Sequence, residues 1–480
     1  MDGSRFRTAL LASGAAIALT VATVPASADE TSDLRSQIEA LQAKLATLEQ
    51  NQVAAQQEQQ YVKAPANAVV GGDKPGSFRL PGSNTSVAIG GYAKLDVIYD
   101  FDQDVGDSFN VGAIALEVPG PHAGNTLDNN FTLHAKQSRL WVKTWTPTDW
   151  GEFETHIEAD FLDFTSGANH LVSNSFHLRL RHAYGRLGNV LAGQTWSNFN
   201  TPFQWAGTID FWGAVGTSFI RQAQIRYTAP LGDGMSLAIS IENPETDGIV
   251  CFDDFAPPGV CSIAAKRAES FSQPDQNVTD PMPDIVARFQ WGADWGTIAL
   301  AAVGRYFNVT EIFAPTITYS GVNDQAFGWG VNIAGVVNLP WGKDRMGAQF
   351  IYGDGIGRYA LWNSGNAFLA FGGTNGPPNV NIETVEAWGG NAWIEHWWTD
   401  SLYSVGVVGY GETNWPAAVI AFDGAPITNV LASVHVNLQW KPTSRTSIGI
   451  EGMYGHRQTQ SGLDGDALRL QMGFTWGFST

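Results

Sequence analysis

The chain has 480 residues, 44% of them hydrophobic and only 15% charged, and it carries 53 Gly, 18 Trp, 26 Phe and 12 Tyr. An ordinary soluble protein carries about 25% charged residues, so much of this surface must face something other than water; lipid outside and neutral polar groups inside a channel meet that requirement. A formal charge of −19 excludes a general nucleic-acid binder, which needs a basic footprint, and two cysteines exclude a disulfide scaffold or a multi-cysteine metal site.

At the start of the chain, Arg5 and Arg7 precede the apolar run LLASGAAIALTVATV, which is followed by Pro25 and the small-residue site Ala26-Ser27-Ala28. This reads as a secretory signal peptide over residues 1–28, the run being short for a membrane anchor. No later stretch resembles an apolar transmembrane helix, so a membrane domain must be a closed barrel, the other structure that satisfies its backbone groups in lipid.

Residues 29–60 repeat on a different period. Leu34, Leu41 and Leu48 are seven apart, with Ile38 and Leu45 between them, a short coiled coil, with an amphipathic surface helix as its rival. Under three heptads are marginal alone, so the segment reads as an oligomer seam assisted by a larger interface. Residues 61–85, with PANAVVGGDKPGSFRLPGS, read as a flexible linker.

From residue 86 the period becomes two. SVAIGGYAKLDVIYD places Ala93, Leu95, Val97 and Tyr99 opposite Tyr92, Lys94 and Asp96. In EFETHIEADF, Phe153, Thr155, Ile157 and Ala159 oppose Glu154, His156, Glu158 and Asp160, so one face must be wet. SVHVNLQW and the final ALRLQMGFTWGF repeat the pattern, with Leu468, Leu470, Met472, Phe474, Trp476 and Phe478 forming one apolar face. Short turns such as TPTDWG, APLGDG and KPTSR alternate with long excursions near 101–128, 197–218, 243–282, 306–323, 353–379, 412–427 and 456–465. The expectation is an all-β fold: a 16-stranded antiparallel transmembrane β-barrel over residues 86–480, behind a short N-terminal coiled-coil helix, wide enough for an aqueous lumen.

Arg139 and Lys143 share a pore-directed face, as do Arg179 and Arg181, and Gln222, Gln224 and Arg226. They form a candidate basic track, because arginine pairs bidentately with carboxylates and stays charged. Glu154, Glu158 and Asp160 are expected on the opposite side, producing a transverse field; the competing reading is that acids and bases neutralise one another. The segment NFNTPFQWAGTIDFWGAVG, residues 198–216, mixes Asn200, Gln204 and Asp210 with Phe203, Trp205, Phe211 and Trp212. It either folds inward as a constriction or packs against the wall or a neighbouring subunit. Cys251 and Cys261 are spaced for a disulfide in an exported loop. Asp100, Asp102, Asp104 and Asp107 lack the calcium-loop pattern, no GxSxG or HExxH occurs, and neither an enzyme nor a cofactor or metal is expected.

The GGYAKLDVIYDF strand, the SRLWVKTWTPTDWGEFETHIEADF hairpin, the LRLRHAYGRLGNVLAGQTWSNF strand pair and the aromatic final strand resemble the DcaP-like group of trimeric outer-membrane porins of Gram-negative bacteria. The resemblance is strongest over residues 86–230. It implies a homotrimer whose coiled coils associate in the periplasm, set among outer-membrane lipid and lipopolysaccharide. It also implies passive uptake of small organic anions, especially dicarboxylates and aromatic carboxylates. Sugar-selective or general diffusion is the alternative, since lumen-facing aromatics can stack on sugar rings.

Overall fold

The computed structural model describes residues 37–48, 70–117, 129–162, 173–174, 176–244, 247–252, 278–279, 281–313, 318–360, 362, 366–372, 381–415 and 427–480. The signal peptide, Leu34 and Cys261 lie outside these residues, and Cys251 is described only through its backbone. Sixteen wall strands follow in order: β1 Ser86–Asp100, β2 in two segments (Asn130–His134 and Arg139–Thr148), β3 Gly151–Asp160, β4 Arg179–Leu187, β5 Val190–Trp196, β6 Arg221–Gly232, β7 Met235–Glu242 and β8 Asp284–Ala293. The wall continues with β9 Gly296–Phe313, β10 Thr318–Asn338, β11 Arg345–Asp354, β12 Glu386–Trp397, β13 Leu402–Asn414, β14 Thr428–Thr443, β15 Thr446–Thr459 and β16 Asp464–Ser479. Each strand pairs antiparallel with the next, and β16 returns to β1, from Arg469 opposite Asp100 to Ser479 opposite Gly90, so the barrel closes as expected.

The period of two decides which way each side chain points. On β14, Val434, Val436, Leu438 and Trp440 are exposed on the outer wall, while Ser433, His435, Asn437 and Gln439 are buried inside. Large rings gather at both rims: Trp291, Trp440 and Trp476 towards the short turns, and Phe131, Phe327, Trp329 and Tyr454 towards the long loops, as expected of two interfacial girdles. Among the described residues no helix is long and apolar enough to cross a membrane.

Two expected loops are strands. β9 and β10 run on to Phe313 and from Thr318, and β15 and β16 leave only residues 460–463 between them. Their polar residues alternate along extended hairpins, a pattern that sequence alone reads as loop. The expected linker is also partly fixed: Phe78–Arg79 pairs with the start of β1, the Asp73 N–H donates to Ser86 Oγ at 2.9 Å, and Lys74 meets Glu152 at 2.8 Å. In a separate unit, the helix over 37–48 exposes Ile38, Leu41, Leu45 and Leu48.

The barrel interior is more filled than a wet channel requires. Phe109, Ile114, Phe199, Tyr359 and Trp362 from inserted connections pack with wall residues such as Val303, Ile351 and Met453 into an apolar cluster. Closure is held by a buried ion pair, in which Arg469 of β16 donates to both carboxylate oxygens of Asp100 on β1 at 2.6 and 2.8 Å. Breaking one partner of a buried pair costs about 3–5 kcal/mol. Arg469→Ala is therefore expected to lower the temperature at which the barrel loses its compact electrophoretic mobility; an unchanged temperature would show that the pair does not hold the seam.

Candidate channel site

The connection from β5 to β6, residues 197–220, lies inside the barrel. Inward side chains of successive strands bind its backbone: Asn332 Nδ2 donates to Phe199 O at 2.8 Å, Arg288 Nη1 to Asn200 O at 2.8 Å, Trp393 Nε1 to Gln204 O, and Asn437 Nδ2 and Gln439 Nε2 to Gly207 O. The apex is gripped from both ends of one peptide. Lys94 Nζ donates to Ile209 O at 2.7 Å, and the Glu451 carboxylate accepts the Ile209 N–H at 2.7 Å and the Asp210 N–H at 3.3 Å. Glycines make room for it: a Cβ on Gly449 or Gly473 would lie 2.7 Å from the Ile209 side chain, and one on Gly409 would overlap the Val215 carbonyl oxygen. The backbone can come this close because these wall positions carry no side chain.

Between the loop and the wall is a cavity of about 560 Å³. Tyr92, Arg139, Glu158, Arg181 and His182 line one side, Trp205, Phe211 and Trp212 of the loop a second, and Asn391, Gln439 and Thr475 a third. Buried lining atoms without a protein partner include Gln137 Nε2, Arg139 Nε and Trp205 Nε1, all of them donors.

The basic wall runs over β2, β4 and the start of β6, and the acids are interleaved with it. Arg179 pairs bidentately with Asp160 at 2.8 and 2.9 Å, Arg181 bridges Glu158 at 2.7 Å and Asp160 at 2.9 Å, and Arg139 approaches Glu158 at 3.4 Å. Glu154 meets Arg186 at 2.5 Å. The expected transverse field is therefore corrected: β3 lies between β2 and β4, so its acids sit beside the bases. Neutralisation is partial, because four guanidinium groups (Arg139, Arg179, Arg181 and Arg221) face the two carboxylates of Glu158 and Asp160. A bulge strengthens the wall: Glu158 pairs with His182 and Ala159 with Leu180, so Arg181 is the extra residue and both Arg181 and His182 turn inward. Rings cover the cations, with Arg221 3.6 Å from the Trp196 centroid and Arg179 5.0 Å from that of Phe211, within cation–π range. Burial pushes the Asp210 carboxyl upward, although nearby Arg469 opposes the shift.

A sixteen-stranded barrel with an internal loop can be compared with known proteins. The family described as DcaP outer membrane protein matches residues 17–248. Over that stretch, just under half of its length, the chain is similar to DcaP outer membrane proteins. The crystal structure of the outer membrane channel DcaP of Acinetobacter baumannii covers 85% of this chain and all of its own, with a TM-score of 0.64 and 20% identity. Porin Omp2b of Brucella suis is 23% identical over 292 residues, covering 60% of this chain and 68% of its own, and porin Omp2b of Brucella abortus (strain 2308) is 24% identical over 293 residues, 60% and 67%. The family match and the porin relatives support an outer-membrane location and a channel of the porin fold.

In this barrel, the cavity gathers some of the residues expected from sequence and leaves others aside. Arg139, Arg181, Glu158, Trp205, Asp210, Phe211 and Trp212 line it, and Arg179 and Asp160 stand directly behind. Gln222 and Gln224 face elsewhere: Gln222 Nε2 donates to Tyr359 Oη at 2.7 Å and Gln224 Nε2 to Trp196 O at 2.9 Å. Arg226 and Lys143 are half-buried on their strands away from the cavity. Asn200 braces the loop against Ile220 O and Ser218, Gln204 donates to Asn391, and Phe203 packs beside Trp393. Lys94, His182, Arg221 and Glu451 were not singled out in the sequence. Lys94 and Glu451 follow the same inward alternation as their neighbours, whereas His182 becomes inward-facing only through the bulge.

Proposed function

We propose that the chain is a porin for passive diffusion of small organic anions, dicarboxylates or aromatic carboxylates, with the 198–216 loop as its constriction. The observation that carries this reading is the cavity with unpaired donors, a four-to-two excess of guanidinium over carboxylate groups, and aromatic rings on the loop facing them. Carboxylates would take the donors while an apolar body lies against the Trp205 and Phe211 rings. The neutral lining residues Asn391, Gln439 and Thr475 support an alternative sugar-selective or general porin, since they carry neutral hydrogen-bonding groups. Single-channel recording with added solute separates the two. Concentration-dependent block by a dicarboxylate and by an aromatic carboxylate is expected, and block by a maltooligosaccharide alone would favour the sugar reading.

The proposed assembly is a homotrimer whose coiled coils meet in the periplasm, within outer-membrane lipid and lipopolysaccharide. Exposed Ile38, Leu41, Leu45 and Leu48 on one helix support it, because such a stripe is stable in water only when another helix covers it. Leu41→Asn with Leu45→Asn is expected to reduce cross-linked trimer on denaturing gels; an undiminished trimer band would assign assembly to the barrel walls alone. Cys251 and Cys261 are proposed to pair, which a free-thiol assay of the exported protein checks.

A further inference from the structure

A second region of the lumen is built for water and then closed. The inward side chains Gln222, Glu242, Asp284, Arg305, Asn332 and Gln349 are polar or charged, as in a conducting wall, yet all are buried. They are covered by residue Phe199 of the constriction loop and by a strap of residues 355–360 and Trp362 from the β11–β12 connection. Phe199 and Tyr359 meet edge to face with centroids 5.2 Å apart.

The strap is seated and locked, but it is not part of the wall. A Cβ on Gly330 would lie 2.5 Å from Ile356 Cδ1 and one on Gly353 would lie 3.0 Å from Ile356 Cβ, while Gly389 and Gly411 make the same space for the Trp362 ring. Tyr359 Oη accepts from Gln222 Nε2 at 2.7 Å and donates to Asp284 Oδ2 at 3.0 Å. Arg305 holds two connections at once: Nη1 donates to Ile356 O at 3.2 Å, Nη2 to Pro244 O at 2.7 Å, and Nε to Asp284 Oδ2 at 3.0 Å. In a separate small sheet, Asn366–Gly372 pairs in parallel with Asp247–Phe252, so the same two connections are joined again.

We propose that residues 355–360 with Trp362 form a displaceable plug that closes a second solute lane along β6–β11, with Arg305 and Tyr359 as its lock. A permanent core would place apolar residues at the covered wall positions; these side chains are those of a channel surface, and the plug together with Phe199 keeps them dry. This plug is distinct from the constriction loop: it meets that loop at Phe199 but comes from a different connection. Displacing it adds cross-section without touching Arg139, Arg179 or Arg181.

The test uses the full chain in planar bilayers and in liposome swelling. Ile356→Asp, which sets a charge on the glycine seat, and Tyr359→Phe, which removes the bond to Asp284, are compared with the unaltered channel. The expected result for Ile356→Asp is a conductance about twofold higher and entry of larger neutral solutes, as when the open cross-section grows, with a smaller rise or frequent opening steps for Tyr359→Phe. Should Ile356→Asp fail to assemble, Trp362→Ala empties the second seat without adding charge and decides the matter by the same readings. Assembled variants with unchanged conductance and unchanged exclusion size would overturn the plug. The anion reading stands or falls separately, on ion selectivity.

Discussion

Arg181→Gln is expected to reduce the anion-over-cation permeability ratio about tenfold. Arg181 is the buried centre of the basic wall, bonded to Glu158 at 2.7 Å and to Asp160 at 2.9 Å, and it lines the cavity. Its removal lowers the formal excess of that wall from two positive charges to one and also leaves both carboxylates less compensated. A unit charge about 5 Å from the path, at an effective dielectric between that of water and a protein surface, contributes about 1–2 kcal/mol, which corresponds to the stated ratio. Arg181→Lys separates charge from geometry: the ammonium keeps the sign but cannot bridge two carboxylates with a planar fork, so selectivity should be retained in sign and the barrel should soften. Lys343→Gln is the control, because Lys343 is exposed on a turn and pairs with Asp400 at 2.9 Å. The reversal potential under a salt gradient is the readout, and an unshifted value for Arg181→Gln would remove this residue from the selectivity mechanism.

Gly409→Val is expected to raise single-channel conductance about two- to threefold and abolish block by organic anions. Even a bare Cβ at this inward position would lie 2.9 Å from the carbonyl carbon and nitrogen of Val215, and valine adds two methyl groups. Since the wall strand is held by neighbours on both sides, the loop is what must yield. It would lose the Val215 N–H bond to Ser433 Oγ at 3.0 Å and the Asn391 bond to Thr217 at 2.9 Å. With Trp205, Phe211 and Trp212 displaced, the cavity loses its aromatic side, and open area sets conductance. Gly406→Ala, on the same strand with open space around it, should leave both properties unchanged. A Gly409→Val channel with normal conductance and normal block would show that the loop does not set the aperture.

The wall was legible because alternation is a strong signal wherever one face meets lipid and the other polar groups. β1 matches its expected bounds, and β14 and β16 turn their apolar residues outward as read. The interleaving of acids and bases was also within reach. A tight turn fixes hairpin register: Thr148 opposite Gly151 leads directly to Arg139 opposite Asp160, which places the acids beside the bases and not across the lumen. The bulge at Arg181 was not legible, since RLRHAY alternates regularly until one residue is counted as extra. The glycine seats were visible as letters in VGVVGYGE and WGGN, but what rests on them belongs to connections more than a hundred residues away for Val215, or more than twenty for Trp362. Tyr359, Asp284 and Arg305 were hidden for the same reason, each lying on a different element.

Under the proposed function, local placement of guanidinium groups, and not the total charge of −19, sets which ions pass. The zero-current potential of the purified channel in a planar bilayer under a KCl gradient tests it most directly. The account predicts the sign of a chloride-selective pore, with the potential reduced when a dicarboxylate occupies the cavity. A potassium-selective sign, unaffected by dicarboxylate, would contradict it.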